Sequence, residues 1–350
     1  MKNVGGWTAS ALLLLVSPVA AQENLSGPSL RAFLFGDVTY SETQEDAPAG
    51  FKVGQTVAHA NAILSERVVF FSEVSMTAHD TGYSLEVERA ILRYEISDAI
   101  MVSAGRYHTP VSYWNTAFHH GLWLQESVSR PESVRFGTPF VPVHFVGAMA
   151  EGRIPGSPLA YLVGVGNGRA ENIVRAGDAG DVNASRAIVV SASMQPTALP
   201  GARVGMSAYV DDVPAESGAA ADERILSAHA VWNRGSVEVI GEYIRVRHDL
   251  GGGAPASSSD GTFVHAGVRL PGRLRVLTPY ARWERMNIAE ADAVFTGLLS
   301  DYDAVLGGVR YDFSDLAALK MEYRSEKIGG GEALGSFFIQ ASFALPIFGG

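Results

Sequence analysis

The chain has 350 residues, 47% of them hydrophobic, and a formal net charge of −10. That is ample apolar surface for one large domain, and the acidic balance excludes nucleic acid as a partner, since its phosphates demand a basic face. Cysteine is absent, which excludes a disulfide scaffold and any thiolate metal site.

Residues 1–21 read as a secretory signal. Lys2 supplies the positive start, residues 9–16 the apolar run, and Val19, Ala20 and Ala21 a small-residue cleavage site. The run is too short to span a bilayer, and no later stretch approaches the roughly 20 consecutive apolar residues of a membrane helix. The expected destination is therefore reached by export, and the strands that follow point to the outer membrane. Residues 22–30 form a short periplasmic entry segment.

From residue 31 onward, segments of about ten residues alternate apolar and polar side chains, the pattern of membrane β-strands. The first half places strands at 31–40, 51–64, 67–78, 84–97, 99–108, 143–154, 159–168 and 185–195. The second half adds 202–211, 223–233, 236–248, 262–270, 273–286, 302–313, 317–327 and 335–345. The count of about sixteen is even, as single-chain outer-membrane barrels require. Alternate joins are short turns, such as 65–66, 97–98 and 234–235, while the intervening joins (41–50, 169–184, 249–261, 287–301) are long and polar. Short turns at one rim and long loops at the other fit a barrel better than a soluble sandwich. The expected fold is thus all-β: a transmembrane, antiparallel up-and-down barrel over 31–350.

Parity separates the faces. Leu319, Met321 and Tyr323 alternate with Lys320, Glu322 and Arg324; Ala90, Leu92 and Tyr94 alternate with Arg89, Arg93 and Glu95. Lysine or arginine on the lipid face costs roughly 2–4 kcal/mol at the bilayer midplane, so the charged parity faces water. The expected interior rows are Arg89, Arg93, Arg203, Arg269, Arg282, Arg310, Lys320 and Arg324 against Glu73, Glu95, Glu242, Glu284, Asp312 and Glu322. Arg106 shares the parity of Ile100 and Val102, which a bulge would explain. Tyr94, Tyr107, Trp232, Trp283, Tyr311 and Tyr323 are candidates for the interfacial aromatic girdles.

Residues 109–142 break the pattern. This third outer loop carries Tyr113, Trp114, Phe118, Trp123, Phe136 and Phe140 beside His119, His120, Arg130 and Arg135, too apolar for a solvated loop. The expectation is a segment folded into the lumen that narrows the pore. Arg106, His108, His119, His120, Arg130 and Arg135 are the candidate solute contacts, because guanidinium forks grip carboxylate or phosphate at two points. Pinning of the loop by pairing with Glu126, Glu132 or wall carboxylates is the alternative role for the arginines. The His119–His120 pair suggests no metal, since adjacent extended residues point apart and no third ligand has a recognisable spacing.

The stretch LEVERAILRYEISD at 85–98, followed by Gly105, Arg106, Tyr107, His108, Thr109 and Pro110, resembles the phosphate-selective porin O and P family. FHHGLWLQ at 118–125 and Arg130-Pro131-Glu132 are similar to the third loop of an uncharacterised group of its relatives. The resemblance implies a sixteen-stranded porin that assembles as a homotrimer. Phosphate selection, as the family implies it, uses lysine clusters, whereas the only lysines after the leader are Lys52, Lys320 and Lys327. The reading is a general channel for small hydrophilic solutes or ions, leaning towards anions, in contact with outer-membrane lipid. A barrel plugged by its loop and serving as a receptor is the alternative. Nucleotide, protease and hydrolase motifs are missing, and Ser112 near His108 is the nearest approach to a catalytic pair, so neither cofactor nor catalysis is expected.

Overall fold

The computed structural model describes residues 28–43, 49–118, 120–215, 218 and 220–348. The leader assigned to 1–21 and the candidate His119 lie outside the described residues. Strands run in sequence order: β1 (Ser29–Thr43), β2 (Gly50–Val53), β3 (Gln55–Ile63), β4 (Val68–His79), β5 (Gly82–Ser97) and β6 (Ile100–His108). After the long segment come β7 (His144–Arg153), β8 (Leu159–Asn167), β9 (Ala187–Met194), β10 (Ala202–Pro214), β11 (Ala220–Arg234) and β12 (Val237–Asp249). The last five are β13 (Ser257–Val268), β14 (Leu277–Asn287), β15 (Tyr302–Ser314), β16 (Ala317–Ile328) and β17 (Leu334–Phe348).

Each strand pairs antiparallel with its neighbours in the chain, and β1 closes on β17 through Val38 opposite Ala341. β2 and β3 are two halves of one wall strand, both paired to β1, so the closed barrel has sixteen. The break falls at Gly54, where the Asp37 carboxylate occupies the position a Cβ would take and accepts from the Gln55 amide at 3.3 Å. All sixteen strands read from alternation are present. Several reach further into the loops than alternation suggested: β13 begins at Ser257 rather than 262 because its polar start pairs with Arg247 and His248. Pro346 falls where the β1–β17 register shifts, between Ala32 opposite Phe348 and Phe33 opposite Pro346. A bulge is where a missing ladder donor is tolerated.

Alternation sorts the side chains radially. On β11, Ala221, Glu223, Ile225, Ser227 and Val231 are buried, whereas Leu226 and Trp232 are exposed. Met206, Leu226, Val264, Val305 and Met321 belong to an outer surface of large exposed apolar groups, and acyl chains cover such a surface where water would not. Closure leaves no unpaired strand edge in the hydrocarbon. Outward charges gather near the long-loop ends of β11–β16, where Arg224 opposes Arg247 and Asp303 opposes both Arg285 and Lys327. Of the girdle candidates, Tyr94, Trp232, Trp283, Tyr311 and Tyr323 are exposed on the outer face. Tyr107 is not. It shares parity with Met101 and Ser103, is buried, and donates its hydroxyl to Ser103 at 3.0 Å.

Candidate functional site in the barrel interior

The wall hands the chain over at His108, the end of β6, and takes it back at His144, its cross-strand partner on β7. Between them the Thr109 amide bonds to Val143 O at 3.0 Å, which fixes the root of the 109–142 segment. The segment is not structureless. Its first part forms α1 (Tyr113–Ala117), capped by Ser112, whose hydroxyl accepts from the Asn115 amide. Glu242 of β12 completes the cap, accepting from Ser112 Oγ at 3.1 Å, Tyr113 N at 3.0 Å and Trp114 N at 3.3 Å. A carboxylate beside the unsatisfied amides of a helix start is the expected partner. Ser112 is thus committed to Glu242 and Asn115, and the imagined pairing with His108 does not form. Trp114, Phe118 and Phe140 join Ile240, Ile244, Phe263 and Phe295 in one buried apolar cluster.

The remainder of the segment is held by the expected interior charges. Lys320 donates to the carbonyls of Leu122 and Ser127, and Arg310 to those of Trp123 and Gln125. Glu322 accepts from Val128 N at 2.9 Å and Ser129 Oγ at 2.6 Å. Arg282 donates to Ser127 and Ser129 and bonds Glu284, which itself accepts from the Glu132 amide. Glu126 lies directly over Gly267 of β13, in space that any side chain there would fill, and accepts from or shares a proton with His265 at 3.1 Å. Lys320, Arg282, Glu242, Glu284 and Glu322 are therefore buried against the segment. Sequence alternation grouped them on one face without revealing what covers them.

Within the segment, Arg130 is buried, donates to Val134 O and Phe118 O, and stacks over Phe136 at 4.1 Å. Burial, then the charge of Arg282, lowers its pKa to about 9, which leaves it protonated at neutral pH. Arg135 is half-exposed and pairs with Glu132 at 2.8 Å. Arg106 pairs with Asp178 of the 169–184 loop at 2.6 Å and donates to Glu88 O at 2.7 Å. The bulge expected on β6 lies on its neighbour: β5 shifts register opposite Glu73 and Val74, which turns the consecutive Glu88 and Arg89 inward.

A cavity of about 570 Å³ is lined by Arg89, Arg93, Glu95, Tyr107, Glu151 and Arg203, with Pro110–Tyr113 of the segment at its edge. Arg93 pairs with Glu95 at 3.1 Å and Glu151 at 3.6 Å, and Arg89 with Glu73. A smaller cavity on the far side meets Arg269 and Arg310, which flank Asp312 at 4.0 and 2.7 Å. Arg324 lies 3.6 Å from Glu322 and 3.4 Å from Glu326.

Three groupings were not read from the sequence. His144 and Glu88 join His108 and His120 in one cluster. Arg169, Glu223, His248 and Asp292 form a buried chain joining two long loops to β11 and β12, with Arg169 to Glu223 at 2.9 Å and His248 to Asp292 at 2.9 Å. Glu126, Glu238 and His265 make a third. Their members stand far apart in sequence, so no spacing signals them.

No protein-family model and no curated protein matches the sequence. Solved structures do match in shape. An anion-selective porin from Comamonas acidovorans aligns with a TM-score of 0.67 at 13% identity, over 91% of this chain and 100% of that one. The outer membrane channel DcaP of Acinetobacter baumannii gives 0.62 at 9% identity, over 92% and 99%. The trimer form of OmpT, an outer membrane protein of Vibrio cholerae, gives 0.61 at 12%, over 91% and 100%. The chain has the porin fold. At these identities the likeness concerns the path of the backbone, and the charges inside are this chain's own.

Proposed function

We propose that the protein is an outer-membrane porin through which small hydrophilic solutes or ions diffuse passively. In this reading residues 109–142 cross the lumen, lean on β12–β16 and leave the path open on the side of β4–β10. The observation that carries it is the cavity of about 570 Å³ bordered by Arg89, Arg93 and Arg203 on one hand and Glu95 and Glu151 on the other. Opposed charge rows orient a polar solute without trapping it. Arg203 has no carboxylate within ion-pair distance among the described residues, and this single uncompensated guanidinium in the cavity wall supports a preference for anions. The Comamonas acidovorans porin of similar shape is anion-selective. A homotrimer in the outer membrane, delivered by the 1–21 leader, and the absence of catalysis complete the proposal.

Planar-bilayer recording tests it. Purified protein should insert with stable ohmic steps, and deletion of residues 114–130 should enlarge them. Insertion without conductance would instead support a plugged barrel acting as a receptor, a reading favoured by the many hydrogen bonds that fasten the segment.

A further inference from the structure

We propose that His108, His120 and His144, with Glu88 as the fourth ligand, form a binding site for a divalent transition-metal ion of the zinc class. The coordinating atoms of the three imidazoles lie within 4.8 Å of one another. His108 and His144 face each other across the β6–β7 ladder, so the wall alone holds two ligands at a fixed separation. His120 arrives from the 109–142 segment, with its ring centroid 5.5 Å from that of His108.

The carboxylate and the outer partners match a metal centre. Glu88 Oε2 is 2.8 Å from His144 Nε2 and 3.1 Å from His120 Nε2, so the carboxylate stands beside two of the three rings. Gln55 fixes the orientation of His120. Its amide nitrogen donates to Thr77 Oγ1 at 3.0 Å, which turns its oxygen towards His120 Nδ1 at 2.9 Å. With Nδ1 donating to Gln55, an incoming cation would displace the Nε2 proton that now faces Glu88 and take up that lone pair. Metal-bound histidines almost always donate their second ring nitrogen in this way. Tetrahedral zinc holds nitrogen at roughly 2.0–2.1 Å, so closing the site asks each ring to move on the order of an ångström. Of the three histidines only His120 lies outside the strand ladder, so it is the ring whose backbone is not set by the β6–β7 pairing.

The surrounding charge permits a cation. Glu73 Oε2 is 3.3 Å from His108 Nε2, and Arg89 is drawn to Glu73. Arg106, 3.8 Å from Glu88 Oε2, is engaged by Asp178 through two oxygens. Carboxylates outnumber guanidinium groups around the cluster. Imidazole with one carboxylate suits zinc, copper, nickel or cobalt rather than magnesium or calcium. Occupancy would tie residue 120 to the ends of β6 and β7, and the site stands whether or not the barrel conducts.

The test uses untagged, full-length protein in detergent, stripped with chelator and titrated with Zn²⁺ alone. A single ion should be retained per chain, and His120→Ala and His144→Ala should each weaken binding by at least about tenfold. His265→Gln, which alters the separate Glu126, Glu238 and His265 cluster, should leave affinity unchanged. Should an alanine variant fail to fold, cobalt substitution of the wild-type protein decides the matter, because a four-coordinate nitrogen and oxygen site gives intense visible bands. Absent cobalt bands, or folded His120 and His144 variants that bind Zn²⁺ as the wild type does, would overturn the proposal, as would loss of the ion in His265→Gln alone.

Discussion

Glu242→Ala isolates the contact that holds the first part of the 109–142 segment. The substitution removes the acceptor shared by Ser112 Oγ and the amides of Tyr113 and Trp114, all three buried. Leaving a buried donor unsatisfied costs roughly 1–3 kcal/mol. Part of that is recovered as the segment relaxes and admits water, so the net loss is about 3–5 kcal/mol of docking free energy. At about 1.4 kcal/mol per decade, the opening equilibrium shifts by roughly a hundredfold to a few thousandfold. The sixteen-stranded ladder does not depend on Glu242's side chain, so the variant should still migrate as a folded, heat-modifiable barrel. Amide exchange read by mass spectrometry should accelerate over 113–118 by that factor while the strands stay protected, and single-channel current should become noisier. Unchanged exchange over 113–118 in a folded variant would refute the claim that this carboxylate anchors the segment.

Further outcomes follow from other contacts. Arg203→Ala should shift the reversal potential in a salt gradient towards cations; a solvated charge is worth about 1 kcal/mol at 4 Å, so the permeability ratio should change by less than about tenfold. Gly267→Leu should expel Glu126 and its neighbours from the wall, seen as new proteolytic cleavage between residues 121 and 130 without loss of the barrel. Asp292 answers to pH: burial raises its pKa, but the hydrogen bond and charge of His248, the Phe295 amide and the Ser257 hydroxyl together hold it below the free value. A carboxyl lowered in the folded state stabilises fully above about pH 4 and loses that contribution as pH falls through its lower folded value. Exchange protection over 288–299 should therefore persist to mildly acidic pH, decline progressively only below about pH 4, and already be lost at neutral pH in Asp292→Ala.

The sequence by itself determined the wall. A period of two is imposed by the strand itself, and it is visible because one face meets acyl chains and the other water; Leu319, Met321 and Tyr323 against Lys320, Glu322 and Arg324 carry that division within one short stretch. The breakdown of that period over 109–142 likewise marked a segment that charged side chains of the wall contact. Only the tertiary structure decided what the interior charges do. Glu242 and Ser112 are 130 residues apart, Lys320 and Leu122 are 198 apart, and His108, His120 and His144 meet only because β6 and β7 pair and the segment returns between them. Closing a barrel brings positions that are remote along the chain to within hydrogen-bond distance across a few ångströms of lumen. Alternation names the face of a residue, but the neighbour it meets there is set by closure.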